Sequence, residues 1–455
     1  MKTYDVIIIG TGQATGTILP ELLNNNLSIA VIEGDRVGGT CVNWGCTPTK
    51  TMVASARVAH MASRGSDFGV NIGEKSIDFS RVMERVNEIR NSATTGFQSW
   101  LEEVTDFYPG WARFVDEHTV AIGEAHIEGK TIIIHTGARA RTPNFPGIEN
   151  VSWLDNRGVL DLKELPEHLL IVGGSYIGME FGQALRRFGS EVTVFEKGKR
   201  IIFREDPEIG DIARQIMEDE GVRFELGSTI QSVEPSEEGV RLRYERAGRA
   251  EEAVGSHILF AVGRVPNTDA LDLPAAGVEL TERGHITVDE YCRTSKEHIY
   301  ALGDVNGKGA FTHTSVHDGQ VFLDHFFRGG GRRVSNRHTI YSMYIDPPLA
   351  RVGLSETEAK KQGYDYLVGT MQMSSVSRAQ EKSETNGMMK VVVEEKTKRI
   401  LGAAVFGVGG DELIGVLALA MQADLPYTKI QETVLPHPTV AELVPWLFSN
   451  LHTPE

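Results

Sequence analysis

The sequence predicts an α/β fold with two Rossmann-like nucleotide-binding units and a C-terminal α+β segment. Two stretches carry the first part of this prediction. In "DVIIIGTGQATG" and in "HLLIVGGSYIGMEFG", a buried-strand pattern runs into a glycine-rich turn and a helical pattern, and a second strand follows each. The third stretch is "GMMKVVVEEKTKRILGAAVFG", which is typical of a β-hairpin and is followed by an apolar helix.

The first unit fits most positions of a dinucleotide-binding turn. Gly10 and Gly12 occupy the first two glycine positions, whereas Thr15 occupies the third and Gly16 comes one residue late. Glu33 ends the next strand. Such a turn brings backbone N–H groups at a helix N-terminus to a pyrophosphate, and the acid accepts hydrogen bonds from a ribose. Taken alone, this stretch is also compatible with an ordinary βαβ unit.

The second unit repeats the pattern. Gly173, Ser175 and Gly178 occupy the three glycine positions, and Glu196 ends the next strand. Ser175 is small and can hydrogen-bond a phosphate. Two such units predict either two bound dinucleotides or a duplicated scaffold with one silent half. Two dinucleotides beside a pair of cysteines indicate an electron relay.

The pair of cysteines lies in "GGTCVNWGCTPTK", where four residues separate Cys41 from Cys46. On a regular helix, residues at this spacing lie roughly 8–9 Å apart, and a disulfide tolerates Cα separations only up to about 7 Å. The chain must therefore bend if the two sulfurs are to meet. Asn43 and Gly45 accept unusual backbone angles and stand where the bend is needed. A structural disulfide, a metal site and a redox pair all remain open at this point.

Composition excludes several classes of protein. The 455 residues predict two to four domains. A net charge of −16 argues against a nucleic-acid partner, and no apolar run reaches the ~20 residues of a membrane span. The opening "MKTYDVIIIG" leaves no room for a signal peptide, and three cysteines are too few for a secreted disulfide scaffold. We expect a cytoplasmic protein that binds neither nucleic acid nor membrane.

Three further segments connect these units. "IIIHTGARARTPNFPGI" (131–148) and "HILFAVGRVPNTDAL" (257–271) each place a strand before a glycine turn and a proline, which predicts crossovers between domains. In "HIYALGDVNGKGAFTHTSVHDGQV" (298–321), Asp304 follows a short buried strand. This carboxylate is placed to bind a sugar-like polyol or to cap the next helix.

With these motifs in order, the chain resembles the flavin-dependent pyridine nucleotide–disulfide oxidoreductases, which include dihydrolipoamide dehydrogenase, glutathione reductase and mercuric reductase. The resemblance covers the whole length and is carried by "GGTCVNWGCTPTK", "GGSYIGMEFG", "VGRVPNT", "ALGD" and "HPTVAE". It implies an FAD domain at 1–147 and 266–337, an inserted NAD(P) domain at 148–265, and a dimerisation domain at 338–455.

For the cysteines, the resemblance implies a redox-active disulfide between Cys41 and Cys46. Cys46 would be the charge-transfer thiolate against the flavin, and Cys41 the interchange thiol that meets the substrate. A helix N-terminus directly after Cys46 would favour a thiolate. The sequence has no CxxC or compact Cys/His set, so no metal site is expected. Cys292 has no partner and is predicted to be an inert strand residue.

Other roles follow from the resemblance one residue at a time. Glu33 would bind the adenosine ribose of FAD, and Asp304 its ribityl chain. Lys50 would lie near flavin N5 and pair with Glu180, and Tyr176 would gate the nicotinamide pocket, with aromatic core packing as its alternative. Further cofactor contacts are expected at the glycine-rich turns and at two connecting motifs: Gly10, Gly12, Gly16, Gly39, Thr40, Gly137, Gly173, Gly178, Glu196, Gly263 and Arg264.

The tail "LPHPTVAELVPWLF" places His437 and Glu442 at the spacing of the family's His–Glu dyad. The resemblance implies that this dyad serves the active site of the other subunit of a homodimer. His437 would move a proton to and from Cys41, and Glu442 would orient the imidazole. The bond before Pro438 is of the kind that can be cis.

The nicotinamide cofactor is predicted from charge. Glu196 suits two ribose hydroxyls and repels a 2′-phosphate, so NADH is favoured. Ile202 stands where NADPH-specific relatives carry an arginine, whereas Lys197, Lys199 and Arg200 still allow NADPH.

The leading hypothesis for function is an FAD enzyme that uses NAD(P)H to reduce a small disulfide or a thiol-reactive oxidant, such as hypothiocyanous acid or a metal ion, through Cys41 and Cys46. Mercuric ion is a less favoured substrate. The usual mercuric reductases carry a cysteine pair near the C-terminus, and in this sequence no cysteine follows Cys292. Dihydrolipoamide dehydrogenase is the first alternative, although Trp44 and Thr47 depart from the aliphatic residues common there. A redox-sensing flavoprotein is the second.

Overall fold

The structure is a computed structural model that describes residues 1–454. The chain divides into two compact units. The first unit comprises Met1–Thr51, Arg81–Thr142 and Val262–Arg337, and the second comprises Met52–Ser80, Pro143–Ala261 and the chain from His338 onward. Most of the two predicted FAD segments lies in the first unit, but Met52–Ser80 falls in the second unit, which also contains most of the predicted NAD(P) segment and the predicted dimerisation segment. The boundaries of the three predicted domains stay a prediction.

The strands of the described residues are numbered in chain order. They are β1 Lys2–Ile9, β2 Ile29–Glu33, β3 Asp106–Pro109, β4 Ala112–Phe114, β5 Thr119–Ile122, β6 Ala125–Ile134, β7 Ala138–Ala140, β8 His168–Val172, β9 Glu191–Glu196, β10 Arg223–Leu226, β11 Thr229–Ser236, β12 Gly239–Arg246, β13 Arg249–Gly255, β14 His257–Phe260, β15 Arg264–Pro266, β16 Ile299–Ala301, β17 Ile340–Met343, β18 Leu349–Gly353, β19 Tyr366–Gln372, β20 Met388–Glu394 and β21 Ile400–Phe406.

The α-helices are numbered in the same way. They are α1 Gln13–Asn24, α2 Gly39–Asn43, α3 Cys46–Ser63, α4 Phe79–Val104, α5 Asn156–Leu160, α6 Tyr176–Phe188, α7 Pro207–Asp219, α8 Leu273–Ala276, α9 Thr312–Arg328, α10 Glu356–Gln362, α11 Ser377–Glu381, α12 Gly410–Gln422, α13 Tyr427–Gln431 and α14 Val444–Leu447.

A seven-stranded sheet organises the first unit. Its strands run in the order β3-β2-β1-β6-β5-β4, and β16 also pairs with β6. β1, β2, β3, β6 and β16 are parallel, so their carboxyl ends lie at one edge of the sheet. The glycine-rich turn after β1, Glu33 after β2 and Asp304 after β16 therefore share that edge. Ligands of open α/β sheets bind at this edge.

Both faces of this sheet are buried, which explains the continuous apolar runs of its strands. Ile7 and Ile9 of β1 pack into a cluster on one face that includes Phe114. Val6 and Ile8, which alternate with them, pack on the other face against α1 and α9, through residues such as Ile18. The α/β fold predicted from the sequence is confirmed.

The second unit contains three sheets. A four-stranded parallel sheet has the order β10-β9-β8-β14 and carries the second glycine-rich turn after β8. A three-stranded antiparallel sheet, β11-β12-β13, adjoins it in sequence. A five-stranded antiparallel sheet, β17-β18-β21-β20-β19, is packed with α12 in one core. The predicted hairpin is β20–β21, and the apolar helix after it is α12.

A buried ionic cluster joins the segment after β9 to this antiparallel sheet within the second unit. The guanidinium of Arg351 donates to Glu205 at 2.7 Å and lies 3.5 Å from Asp206. Lys390 lies 3.2 Å from Asp206, whose carboxylate also accepts from the backbone N–H of Thr357. Burial alone would raise the pKa of Asp206, but the charges of Lys390 and Arg351 outweigh burial and lower it. The cluster is thus held by opposite charges that water does not screen.

No helix of the described residues is both long and apolar enough to cross a membrane.

Removing one member of the ionic cluster should destabilise the protein strongly. Arg351→Met leaves Glu205 and Asp206 buried without their guanidinium partner, and we expect the free energy of unfolding to fall by about 3–5 kcal/mol. Urea unfolding of the purified protein, followed by circular dichroism, measures the change.

The matched control for this prediction is Arg399→Met, because Arg399 pairs with Asp424 where both side chains are more than half exposed. Such a pair contributes at most about 1 kcal/mol. Equal losses in the two variants would contradict the account of the buried cluster.

Candidate active site

The two cysteines flank a bend between two helices. Cys41 lies in α2, and Cys46 is the first residue of α3. Between them Trp44 leaves the helical region, with φ −137° and ψ 11°. At Gly45 a Cβ would lie 3.0 Å from the carbonyl oxygen of Thr40, so a side chain there would crowd the turn. The bend expected from the sequence is present.

Asn43 has a different role from the one predicted. It is helical rather than bent, and its side chain is completely buried. The side-chain amide donates to the carbonyl oxygens of Val37 at 2.9 Å and Gly39 at 3.1 Å, and its oxygen accepts from Thr94 Oγ1 at 2.7 Å. The prediction that Asn43 supplies the bend was wrong, because these hydrogen bonds use the residue as an anchor for α2.

Trp44 lies between two guanidinium groups. The Cζ atoms of Arg90 and Arg36 lie 5.0 Å and 5.7 Å from the indole ring centre, within the range of cation–π attraction. Arg90 is almost fully buried, and Arg36 donates to Asn91 at 2.5 Å. The bulky residue between the cysteines is therefore clamped at the bend.

The structure holds Cys41 and Cys46 as free thiols, Cys41 partly buried and Cys46 exposed. The hydrogen bond with Cys46 raises the pKa of Cys41, and burial and the charge of Cys46 raise it further. The hydroxyl of Thr312 and the ammonium of Lys50 act in the opposite direction. A coupled pair of this kind loses its two protons in separate steps, so one thiolate and one thiol coexist.

Thr312 is a site residue that the sequence reasoning missed. It is the first residue of α9, and its Oγ1 lies 3.3 Å from Cys46 Sγ. A hydroxyl at this distance can donate to a thiolate. The contact joins positions 266 residues apart in the chain, and no local pattern around "FTHTS" pointed to it.

The first glycine-rich turn is fastened to Glu33. One carboxylate oxygen accepts from the backbone N–H of Thr11 at 3.0 Å, and the other from that of Asp35 at 2.9 Å. Gly10 precedes this contact, and Gly12 is the N-cap of α1. A carboxylate has further lone pairs, so Glu33 can still accept hydrogen bonds from a ribose.

The second glycine-rich turn repeats this arrangement. Glu196 accepts from the backbone N–H groups of Gly174 at 2.8 Å and Gly198 at 2.7 Å. At Gly178 a Cβ would lie 2.3 Å from the carbonyl oxygen of Gly173, so only glycine allows α6 to approach the turn this closely. Both acids therefore sit at a strand end against the turn of their own unit.

The N-terminus of α6 and the loop after Glu196 surround this second turn. Ser175 is the N-cap of α6, and its side chain forms no capping hydrogen bond. Tyr176 is the first residue of that helix and is partly buried. The backbone N–H of Ile202 donates to the carbonyl oxygen of Gly174 at 2.7 Å, which holds the loop against the turn.

The third glycine position of the first turn is filled differently. Thr15 is buried, and its Oγ1 donates to the carbonyl oxygen of Gly10 at 2.9 Å. The hydroxyl thus makes a hydrogen bond where the second turn has a bare glycine. At Gly16 a Cβ would make only an ordinary contact, 3.7 Å from Phe97, so the structure does not require glycine there.

The remaining predicted cofactor residues also lie in the first unit. Gly39 and Thr40 open α2, and Gly137 and Gly263 flank the paired strands β7 and β15. Arg264 Nη2 lies 3.6 Å from Asp304 Oδ2 and donates to the carbonyl oxygen of Ala138. Asp304 therefore faces a cation at the sheet edge.

Lys50 and Glu180 lie in different units. Lys50 is in the second turn of α3, four residues after Cys46. Glu180 is buried in α6, and its Oε1 accepts from the backbone N–H of Tyr344 at 2.7 Å. Their pairing stays a prediction.

His437 and Glu442 form the predicted dyad geometry. His437 Nδ1 lies 2.9 Å from Glu442 Oε2 and 3.1 Å from Oε1, and the imidazole is 74% exposed whereas the carboxylate is 16% exposed. The bond between His437 and Pro438, which is of the kind that can be cis, is cis in the structure. Both residues line a cavity of about 540 Å³ with Val434 and Trp446. The partly buried carboxylate of Glu442 thus orients an exposed imidazole.

The third cysteine does not lie in a strand. Cys292 adopts a left-handed backbone conformation with φ 64° and is fully buried. Its predicted strand position was wrong, because the chain turns at this point before β16. Burial raises the pKa of its thiol, which agrees with the inertness expected. In residues 1–454 no group of three His, Cys, Asp or Glu side chains is arranged to hold a metal ion.

Comparison with known sequences decides the family. A profile described as pyridine nucleotide-disulphide oxidoreductase matches residues 4–319. The profile of the dimerisation domain of these enzymes matches residues 339–448. The chain belongs to the pyridine nucleotide-disulphide oxidoreductase family. It is an oxidoreductase whose family uses FAD and a nicotinamide nucleotide.

Two relatives, one of them also as a solved structure, place this oxidoreductase within the family. It is 35% identical to the probable pyridine nucleotide-disulfide oxidoreductase RclA of Escherichia coli K12, over 99% of both chains. It is 32% identical to a mercuric reductase of Bacillus cereus, over 96% of this chain and 70% of that one. The solved Cu(II) complex of the HOCl-induced flavoprotein disulfide reductase RclA from E. coli superposes with a TM-score of 0.89, at 33% identity and 99% coverage of both chains.

The residues of the oxidoreductase fit the two cofactors of the family. Each glycine-rich turn opens a helix and leaves no space for a side chain, at Gly12 against the ring of His135 and at Gly178 against the carbonyl oxygen of Gly173. Each has an acid fixed at the end of the adjacent strand, Glu33 and Glu196. This is the donor and acceptor set that a dinucleotide requires.

The contact between Thr312 and Cys46 should influence the reactivity of the reduced cysteines. Thr312→Val removes a hydroxyl that lowers the pKa of Cys41 and lies beside Cys46, so the thiolate fraction at neutral pH should fall. Loss of one hydrogen bond to a charged sulfur corresponds to about one pKa unit. Alkylation by iodoacetamide after reduction should therefore slow about tenfold, and its pH profile should shift upward by about one unit.

Thr105→Val is the control, because the Thr105 hydroxyl donates only to the helix carbonyl of Leu101. An unchanged pH profile in Thr312→Val would show that this hydroxyl has no influence on the thiols.

Proposed function

We propose that the enzyme uses NADH to reduce a small disulfide or thiol-reactive oxidant through a disulfide formed by Cys41 and Cys46. The observation that carries the proposal is the pair itself. Two thiols are in hydrogen-bond contact, Cys41 in α2 and Cys46 at the start of α3, and Thr312 lies beside Cys46. A helix N-terminus and a hydroxyl donor both stabilise a thiolate.

The two thiols differ in a way that suits separate roles. Cys41 retains its proton while Cys46 carries the charge, because the coupling raises the pKa of Cys41. We propose that Cys46 faces the flavin and that Cys41 meets the acceptor. The chemistry supplied by bound FAD is the transfer of an electron pair from the nicotinamide nucleotide to the Cys41–Cys46 disulfide. We assign Lys50 and Glu180 to the flavin side of that transfer.

With a disulfide acceptor, Cys41 first gives its proton to a base, and the resulting thiolate bonds to one acceptor sulfur while the acceptor S–S bond breaks. The departing thiolate takes a proton. The Cys46 thiolate then bonds to Cys41, which releases the second acceptor thiolate and restores the Cys41–Cys46 disulfide. One electron pair has passed to the acceptor, which leaves as two thiols after a second protonation.

We assign these proton transfers to His437. Its exposed imidazole is held at Nδ1 by Glu442, so Nε2 is left to exchange protons. The dimerisation profile over residues 339–448 supports a homodimer in which this dyad serves the cysteines of the partner subunit. A mere sensor of redox state has no need of an oriented proton carrier.

The preference for NADH rests on Glu196. Its carboxylate is fixed at the strand end by Gly174 and Gly198 and would meet a 2′-phosphate with like charge. Lys197, Lys199 and Arg200 follow directly, so NADPH should be used less efficiently rather than excluded. We further propose a cytoplasmic location, as expected from the composition.

The acceptor class is inferred from the relatives. One relative was solved as a Cu(II) complex and is called HOCl-induced, and another is a mercuric reductase, so their names point to copper, HOCl and mercuric ion. These are small species that react with thiols. We therefore place hypothiocyanous acid, other small oxidants and thiophilic metal ions ahead of lipoamide as acceptors.

The proposal is tested by following NADH oxidation by the purified flavoprotein with hypothiocyanite, Cu(II), oxidised glutathione and lipoamide. We expect turnover with a small oxidant or metal ion, and its loss by at least about 10³-fold in Cys41→Ser and Cys46→Ser. Cys292→Ala is the matched control and should retain activity, because that thiol is buried outside the proposed site.

Two results would replace the proposal. Rapid reduction of NAD⁺ by dihydrolipoamide, with none of the small oxidants turned over, would make the enzyme a dihydrolipoamide dehydrogenase. Full FAD loading without turnover of any acceptor would make it a redox sensor.

A further inference from the structure

A buried imidazole lies between the two turns that we assign to FAD in the first unit. His135 directly follows β6 and is 7% exposed. Its Nδ1 lies 2.8 Å from the carbonyl oxygen of Leu302, and its Nε2 lies 3.2 Å from the backbone nitrogen of Ala14. Leu302 precedes the turn that carries Asp304, and Ala14 is in the first turn of α1. One ring therefore contacts both segments.

Two glycines make room for this ring. A Cβ at Gly12 would lie 2.5 Å from His135 Nε2, and a Cβ at Gly303 would lie 2.8 Å from His135 Cε1. No real side chain approaches another atom that closely. The imidazole thus fills the space that both glycines leave, and it sets the separation of the Gly10–Gly12 turn from the Gly303–Asp304 turn.

The hydrogen bonds fix the protonation state of the ring. A carbonyl oxygen only accepts, so Nδ1 must carry the proton that is donated to Leu302. A backbone N–H only donates, so Nε2 must offer its lone pair to Ala14. Only the neutral Nδ1–H tautomer satisfies both partners. A second proton, on Nε2, would face the N–H of Ala14.

Burial also favours the neutral ring, because it lowers the pKa of His135. The carbonyl of Leu302 and the carboxylates of Asp304, Asp318 and Glu33 act against it. The influence of these carboxylates is limited by their own partners: Asp318 pairs with Arg337, Asp304 lies 3.6 Å from Arg264, and Glu33 accepts from two backbone N–H groups. A further polar neighbour is Ser315, whose hydroxyl lies 3.4 Å from Nε2 and can reorient to accept a hydrogen bond from a protonated Nε2.

We propose that His135 is a positioning residue for FAD: its neutral ring holds the two flavin-nucleotide turns in register, and its protonation weakens FAD binding. The inference rests on the proposed function, because it presumes that these turns hold FAD. It adds a dependence of FAD binding on pH, which the roles proposed for the two cysteines and the His437–Glu442 dyad do not include. Glu33 and Asp304 would bind the cofactor, and His135 would act through the backbone that carries them.

The test measures FAD dissociation from the full-length holoenzyme between pH 8 and pH 5, by the fluorescence of released flavin. For wild type we expect the dissociation constant to rise as the pH falls. For His135→Ala we expect FAD binding at pH 8 to weaken about tenfold, because the N–H of Ala14 and the carbonyl of Leu302 lose a buried partner. The pH dependence should also flatten, and added imidazole should restore part of the affinity.

A second variant covers the case in which His135→Ala does not fold. His135→Gln keeps a donor and an acceptor but has no proton to gain, so its FAD affinity should not change with pH in this range. The control is His118→Ala, since His118 stacks on His298 and bonds to Gly129, away from either turn. It should behave as wild type.

The outcomes separate this inference from the proposed function. Wild-type affinity and a wild-type pH profile in the His135 variants would overturn the inference while the flavoprotein assignment stands. Weakened binding with an unchanged pH profile would overturn the role of protonation. A wild-type chain that binds no FAD would overturn the proposed function itself.

Discussion

Each dinucleotide turn of this protein is tied to a carboxylate at the end of the next parallel strand. In the first unit Glu33 accepts from the backbone N–H groups of Thr11 and Asp35, and in the second Glu196 accepts from those of Gly174 and Gly198. The two contacts are equivalent in position and length. They bring a helix N-terminus and a ribose acceptor to the same sheet edge, and the proposed cofactor sites depend on that arrangement.

The reactive groups are anchored by the side chains around them. The bend between Cys41 and Cys46 is clamped at Trp44 by Arg36 and Arg90, and α2 is held from below by Asn43. In the second unit, a buried cluster around Arg351 fixes the segment that follows Glu196 to the antiparallel sheet. The accessible groups of the proposed sites are thus held in place by buried hydrogen bonds and ion pairs, as a preorganised site requires.

The fold was largely predictable from the sequence, because its signals are local. Apolar runs such as "VIII" and the strand-turn-helix pattern around Gly10 and Gly173 mark their own elements, and the bend between the cysteines followed from their spacing. Thr312 and His135 could not be found in this way. Their contacts join residues 266 and 121 positions apart, to Cys46 and Ala14 respectively.

Residue type alone also misled the prediction at two positions. Asn43 was assigned to the bend because asparagine tolerates left-handed backbone angles. In the structure it is helical, and its buried side-chain amide forms hydrogen bonds that anchor α2. Cys292 was assigned to a strand, but its φ of 64° places it in a turn. At Asn43 the outcome was decided by side-chain hydrogen bonds to Val37, Gly39 and Thr94, and at Cys292 by the turn of the chain before β16.

The central claim is that Cys41 and Cys46 carry electrons, and counting electrons tests it most directly. Anaerobic titration of the flavoprotein with a calibrated reductant, followed by visible absorbance, gives the electron pairs taken up per bound FAD. We predict two pairs for wild type, with a long-wavelength thiolate-to-flavin band midway, and one pair without the band for Cys46→Ser. Uptake of a single pair by wild type, with direct bleaching of the flavin, would contradict the account.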